Sequence, residues 1–326
     1  MMLKEAEFYT HEKNGIRCHL CPRECFIPES KYGFCGVRIN KENKLYTEIY
    51  GEVSSFWKDP IEKKPLYHFY PGSTAFSIGT VGCNFACDFC QNYSISQEKA
   101  FTRYFSPKDI VEMAKDTEGI AFTYNEPTIW YEFMYETAKL AKENGLYTVM
   151  VTNGYINKEP LKKLIEYMDA FNIDVKGDRK FYEKLCHAPF YDVFKSVRTV
   201  FENDRHIEVT NLIIPGWNDK KEQIEEICDK LYEISPEIPI HFTRFYPHYR
   251  MKNTEPTPME TLEMAEKIAK ERGLYYVYLG NVWGRPDITY CPECGRELIK
   301  RIGFDIVENK VKDGHCPCGK KIYMKG

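Results

Sequence analysis

Eleven of the thirteen cysteines in this 326-residue chain fall into three tight groups, and that distribution limits the fold more than any other feature. Cys18, Cys21, Cys25 and Cys35 lie near the start, Cys83, Cys87 and Cys90 in the first third, and Cys291, Cys294, Cys316 and Cys318 near the end. The opening MMLKEAEFYTHEKNG is too polar for a secretory signal. Without one, closely spaced cysteines read as metal ligands in a reducing compartment rather than as a disulfide framework. No apolar run approaches the roughly 20 residues needed to cross a bilayer. The expectation is a cytoplasmic protein with no membrane contact.

The regular pattern lies between the outer groups. Short β-rich runs at 75–81, 120–124, 147–152, 170–175, 207–214 and 240–245 alternate with longer amphipathic segments, and a seventh, 275–279, follows the last helix. Successive βα units favour a parallel sheet. The expected fold is α/β, a partial (βα)6 barrel of the TIM type over residues 71–287. A cysteine-rich arm over 1–70 precedes it and a zinc-ribbon-like segment over 288–326 follows. Such a sheet presents its working residues at the carboxyl ends of its strands. Ser106 before Pro107 reads as a helix N-cap, Thr257 with Pro258 and Glu260 as a capping box, and Gly145 and Gly273 as left-handed helix ends.

The segment from Thr80 to Cys90 follows the first run and contains C-x3-C-x2-C. Three thiolates can hold three irons of a cubane [4Fe–4S] cluster and leave the fourth open, whereas electron-carrier clusters usually take four cysteines. An open iron implies chemistry. The competing readings are buried free thiols or a zinc site borrowing a fourth ligand, although zinc knuckles prefer pairs.

With Phe89 just before its last cysteine, the motif resembles the hallmark of the radical S-adenosylmethionine superfamily. The likeness runs along nearly the whole chain. It includes Cys18-His-Leu-Cys21-Pro-Arg-Glu-Cys25 with Gly33-Phe-Cys35-Gly36, then Gln91-Asn92-Tyr93, Thr123-Tyr124-Asn125-Glu126-Pro127-Thr128 and Cys291-Pro-Glu-Cys294-Gly295. The chain is similar to glycyl-radical-enzyme activases such as the pyruvate formate-lyase activating enzymes, and most of all to the group called AmmeMemoRadiSam system radical SAM enzymes. That resemblance implies reductive cleavage of S-adenosylmethionine at the cluster. The resulting 5′-deoxyadenosyl radical would abstract hydrogen from an unidentified protein or small molecule, or from a glycine loop if the chain is an activase proper. The resemblance also implies a low-potential electron donor of flavodoxin or ferredoxin type and Memo-like and AMMECR1-like partner proteins.

The same resemblance makes Phe89, Asn125, Glu126, Thr152, Asn153, Asp174, Lys176 and Pro215 the expected cofactor-binding residues. Glu126 would meet the ammonium, Asp174 a ribose hydroxyl and Lys176 the carboxylate. The sequence departs from the family where a Gly-Gly-Glu-Pro-like stretch is usual, since Tyr124 and Asn125 replace the glycines. Plainer readings remain beside these. Thr128 can cap a helix, Asp174 and Lys176 can form a strand-end ion pair, and Pro215-Gly216-Trp217-Asn218-Asp219 can be an ordinary turn. The segments 241–250, with His241, Arg244, His248 and Arg250, and 280–282 are expected on the substrate side. Cys186 and Cys228 read as hydrogen-atom donors or as buried structural thiols.

Cys291, Cys294, Cys316 and Cys318 resemble the two knuckles of a zinc ribbon, with His315 as a replacement for one thiolate and rubredoxin-like iron as the other occupant. The N-terminal C-x2-C-x3-C-x9-C matches neither a ferredoxin run nor a standard zinc pairing. Its four donors point to a second metal, either zinc or an auxiliary iron–sulfur cluster. A zinc-stabilised nucleic-acid-binding module is the reading from another class. With 45 basic against 48 acidic residues, the chain lacks the basic excess such a module uses.

Overall fold

The computed structural model describes residues 3–98 and 100–326. Its centre is one sheet of eight strands: β1 (Ser55–Pro60), β2 (Thr74–Gly79), β3 (Gly119–Phe122), β4 (Tyr147–Thr152), β5 (Ala170–Asp174), β6 (His206–Ile213), β7 (Ile240–Arg244) and β8 (Val277–Gly280). Strands β2 to β8 lie side by side in chain order and pair in parallel. β1 runs antiparallel along the outer edge of β2, with Ser55 opposite Gly79. β1 and β8 are therefore free edges and the barrel is open. The expected set of six βα strands is extended by a seventh parallel strand and by an edge strand drawn from the first 70 residues.

The middle strands are buried on both faces, which is why they read as nearly continuous apolar runs. Ile120, Phe122, Val149, Met150, Ile173 and Val209 are all within 1% of fully buried, each contributing about 1.5–3 kcal/mol. Gly119 has a packing reason, because a Cβ there would lie 2.0 Å from the Tyr147 ring. Ser106 caps the helix Pro107–Met113 in a box with Asp109, and Gly145 and Gly273 take φ of +75° and +89°. Thr257 does not cap the helix Met259–Glu271. Its hydroxyl donates to the Ile213 carbonyl and accepts from the Phe245 N–H, tying β6 to the end of β7 instead.

The N-terminal residues form two small antiparallel sheets, one from Tyr9–Glu12, Gly15–Cys18 and Phe26–Pro28, the other from Lys4–Glu5, Arg38–Lys41 and Lys44–Thr47. They are joined to the barrel by a buried ion pair, Arg38 with Glu132 on the helix Tyr131–Glu143, at 2.6 and 2.8 Å. Removing one member of such a pair leaves a bare buried charge, a loss of about 3–5 kcal/mol.

The last residues form an antiparallel sheet, β9 (Asp287–Tyr290), β10 (Glu297–Ile302) and β11 (Asp305–Asn309), packed against Tyr67, Tyr276 and Tyr278. A buried polar network holds it at the amino ends of the barrel strands. His68 contacts the Tyr278 hydroxyl at 2.6 Å and the Tyr323 carbonyl at 2.7 Å, and Tyr278 reaches Thr289. His241 belongs here and not on the substrate side. It is the second residue of β7, fully buried, and its Nε2 lies 2.7 Å from Glu208, which also pairs with His206. Among the described residues no helix is long and apolar enough to cross a membrane.

Candidate active site

The loop that carries Cys83, Cys87 and Cys90 leaves the carboxyl end of β2 and is pinned by the ends of the neighbouring strands. Asn125, just past β3, accepts from the Thr80 N–H at 3.0 Å and donates to the Gly82 carbonyl at 2.9 Å. Its side chain is therefore spent on the loop. Asn153, just past β4, donates to Asn84, which in turn holds the Tyr155 carbonyl. Leu185 and Cys186 pair by backbone with Asp88 and Ala86. Two strand ends and the segment after the helix Arg179–Lys184 thus fix one cysteine loop.

Gly82 turns that loop with φ +90°, and a Cβ there would lie 2.8 Å from the Cys35 carbonyl. Tyr124, at the position where the resemblance leads one to expect glycine, itself adopts φ +69°. The backbone keeps a glycine-like conformation, sparsely populated by other residues, and the tyrosine hydroxyl is held at 2.7 Å by Asp59.

The three sulfurs suit a thiolate-ligated group. Cys83 Sγ accepts from the Phe85 N–H at 3.3 Å, and Cys90 Sγ lies 3.1 Å from the Ser96 hydroxyl. Burial pushes the Cys83 and Cys90 thiols up, and Cys87 is raised by the neighbouring Cys186 thiol and by burial. Left alone they stay protonated, so the thiolate form needs positive charge beside it. Lys176 supplies some. Burial works against its charge, but Asp174 outweighs burial and holds Lys176 protonated. Its Nζ lies 2.8 Å from Asp174 and 5.7 Å from the centre of the Phe89 ring.

Glu126 is fully buried and acts as a junction. One carboxylate oxygen accepts from the Thr128 N–H at 2.9 Å and the Thr152 hydroxyl at 2.7 Å, and the other from the Asn153 N–H at 2.8 Å. The cap of the following turn is Glu126 itself; the Thr128 hydroxyl has no partner among the described residues. Burial raises the Glu126 carboxyl against the pull of these donors. Pro215 and Gly216, at φ +79°, turn the chain so that Asn218 donates to the Lys176 and Leu212 carbonyls. The turn after β6 thereby supports Lys176.

Of the residues expected on the substrate side, 248–250 cover the cysteine loop. His248 contacts the Gln91 carbonyl at 3.1 Å, Tyr249 stacks on Tyr93 at 4.4 Å, and Arg250 bonds Asp88. Arg244 holds the Thr257 carbonyl, and Asn281 the Arg244 carbonyl. Cys186 is buried against Cys87, whereas Cys228 lies buried on the helix Lys221–Tyr232, a packing thiol. The sequence reading missed Asn84, Ser96 and Asn218 as positioning residues; Asn84 and Asn218 had a signal, sitting inside the cysteine motif and the proline turn.

At the far end, Cys291 Sγ lies 3.7 Å from Cys318 Sγ, and Cys294 Sγ 3.7 Å from Cys316 Sγ. A tetrahedral ion with bonds of about 2.3 Å spaces its sulfurs about 3.8 Å apart. Burial acts against the Cys291 thiolate, yet the N–H groups of Cys294 and Glu293 bring it down to about 7. His315 is not part of this group, its ring being held at 2.6 Å by the Asp313 carbonyl.

Residues 77–231 match the Radical SAM superfamily. An uncharacterised protein of Methanocaldococcus jannaschii is 46% identical, the alignment covering 98% of this chain and 99% of the relative. A second protein of that organism, named provisionally as a glycyl-radical enzyme activating enzyme, is 28% identical over 64% of this chain and 80% of its own length. A crystal structure of a radical SAM methyltransferase from Sphaerobacter thermophilus superposes with a TM-score of 0.51 at 18% identity, covering 65% of this chain and 67% of that one, a likeness of fold.

Proposed function

Because the chain belongs to the radical SAM superfamily and is a radical SAM enzyme, we propose that Cys83, Cys87 and Cys90 ligate three irons of a [4Fe–4S] cluster and that the chain removes hydrogen from a protein or small-molecule substrate. When bound, the cluster and S-adenosylmethionine supply a 5′-deoxyadenosyl radical by one-electron cleavage of the sulfonium, with a flavodoxin- or ferredoxin-type protein as donor. The observation that carries this reading is the convergence of β3, β4 and β5 on the cysteine loop through Asn125, Asn153 and Lys176.

The protein residues bind and orient. The Phe85 N–H donates towards the thiolate of Cys83, the Ser96 hydroxyl lies beside Cys90, and Lys176 offsets the negative charge of Cys87. We assign Glu126 to the cofactor ammonium, its carboxylate already aimed by three donors. Asp174, half-exposed, is assigned to the ribose, and Lys176 to the carboxylate. Phe89, Thr152 and Pro215 line or brace that site. The segment 248–250 lies over the loop and helps keep water out. The C-terminal thiols hold zinc for folding. The reducing cytoplasm suits thirteen free cysteines.

Activation of a glycyl-radical enzyme is the second reading, favoured by the activating-enzyme relative. Memo-like and AMMECR1-like partners belong to the proposal through the resemblance alone. The test is electron paramagnetic resonance of the reduced protein with and without S-adenosylmethionine, on wild type and on a Cys83→Ala, Cys87→Ala, Cys90→Ala variant. The expected result is a signal that the cofactor shifts in wild type and a cofactor-sensitive signal missing from the variant. A cofactor-sensitive signal that survives in the variant overturns the ligand assignment.

A further inference from the structure

The N-terminal cysteines come together over the same loop. Cys18, Cys21, Cys25 and Cys35 all line one small pocket, whose wall also includes Arg38 and Asn84, the residue next to Cys83. Arg23 fastens the arm there, donating from Nε to the Asn84 carbonyl at 2.6 Å and from its guanidinium to the His187 carbonyl. Asn157 holds the His19 carbonyl, and its N–H the Leu20 carbonyl. The pocket is therefore a rigid part of the active-site wall.

Three features mark it as built for a ligand. The backbone N–H groups of Leu20, Arg23 and Val37 face the sulfurs of Cys18, Cys21 and Cys35, as the Phe85 N–H faces Cys83. Arg38, 1% exposed, brings a permanent positive charge to the pocket wall. Its terminal nitrogens are used by Glu132 and the Glu7 carbonyl, but its buried Nε–H has no partner among the described residues. An orphaned charged donor in an interior is costly unless an acceptor arrives.

Sulfur spacing separates the kinds of occupant. The C-terminal four are the one set among the described residues in which three or more candidate ligand atoms lie within 4.8 Å of one another. Neither the central triad nor the N-terminal four closes that far. Four thiolates on a single ion must sit about 3.8 Å apart, whereas thiolates on different irons of a cubane stand farther apart because each binds its own corner. By this measure the N-terminal four stand with the triad and apart from the zinc ribbon. We propose that Cys18, Cys21, Cys25 and Cys35 hold a second iron–sulfur cluster, a four-thiolate [4Fe–4S] group whose sulfur takes the free Arg38 Nε–H. With all four irons ligated by protein, this cluster has no open iron for S-adenosylmethionine.

The experiment uses the full chain, reconstituted anaerobically with iron and sulfide, and counts iron, acid-labile sulfide and zinc. Wild type is expected to hold about eight irons and eight sulfides. The Cys83→Ala, Cys87→Ala, Cys90→Ala variant keeps about half of each and gives a reduced-state resonance that S-adenosylmethionine leaves unchanged. A Cys21→Ala, Cys35→Ala variant also keeps about half, with a resonance that the cofactor shifts. Wild type with about four irons and two zincs, beside a triad variant without iron, overturns the N-terminal cluster and leaves the central assignment standing. A triad variant that keeps about four irons supports the N-terminal cluster whatever becomes of the central one.

Discussion

Replacing Glu126 by Gln exchanges one buried carboxylate oxygen for an amide nitrogen and nothing else, so its consequence follows from three hydrogen bonds. In the better orientation the remaining oxygen keeps the Thr128 N–H and the Thr152 hydroxyl, and the new NH2 faces the Asn153 N–H, now 2.8 Å from another donor. A lost hydrogen bond to a charged group is worth about 1.5–3 kcal/mol. Relief of the buried charge, which raises the Glu126 carboxyl, returns part of that. We expect a net loss of about 2 kcal/mol and a fall in Tm of roughly 3 °C for a chain of this size. If Glu126 also meets the cofactor ammonium, S-adenosylmethionine binding weakens about tenfold to a hundredfold. Circular dichroism melting and anaerobic equilibrium dialysis on iron-matched wild type and variant measure both. An unchanged Tm refutes the junction, and a lowered Tm with full cofactor affinity refutes the ammonium contact.

Other expectations are as direct. Gly82→Ala places a Cβ against the Cys35 carbonyl at a φ of +90°; strain of about 1–3 kcal/mol should lower iron retention, read by absorbance after gel filtration. Cys294→Ser, or metal chelation, should make residues after about 287 sensitive to protease, followed by mass spectrometry, whereas a tail as resistant as wild type contradicts a structural metal. Acid should loosen the barrel floor. Burial pushes His68 down to about 3, so between pH 6.5 and 3 the unfolded chain binds a proton the folded chain refuses, and stability falls as pH falls, by at most about 1.4 kcal/mol per unit. Glu208 acts in the same sense: burial raises it, but His206 and His241 hold it below the usual range, so its contribution is lost below about pH 4.5. His68→Gln should flatten the decline of denaturant midpoint with acid.

The βα alternation and the cysteine loop were legible because both are local. Each parallel strand is a short apolar run, and C-x3-C-x2-C needs no partner elsewhere to be recognised. What was hidden depends on distant pairing. β1 reads as an exposed polar stretch, Ser-Phe-Trp-Lys-Asp-Pro, since an edge strand faces solvent on one side. His241 looks like a substrate residue in sequence, and only the register of β7 against β6 puts it beside Glu208 at the opposite end of the barrel. Thr257 looks like a cap, but its hydroxyl has better partners in β6 and after β7. Glu-Pro-Thr does open the turn after β3, with Glu126 rather than Thr128 as its cap, while the bonds of Glu126 to β4 could not be seen without the neighbouring strand.

The central claim is that this chain cleaves S-adenosylmethionine reductively at the cysteine loop. Anaerobically reconstituted enzyme reduced with dithionite, given S-adenosylmethionine and sampled by chromatography, should form 5′-deoxyadenosine and methionine in equal amounts. The Cys83→Ala, Cys87→Ala, Cys90→Ala variant should form neither. Wild type whose clusters are intact and reduced but which yields no 5′-deoxyadenosine contradicts the account.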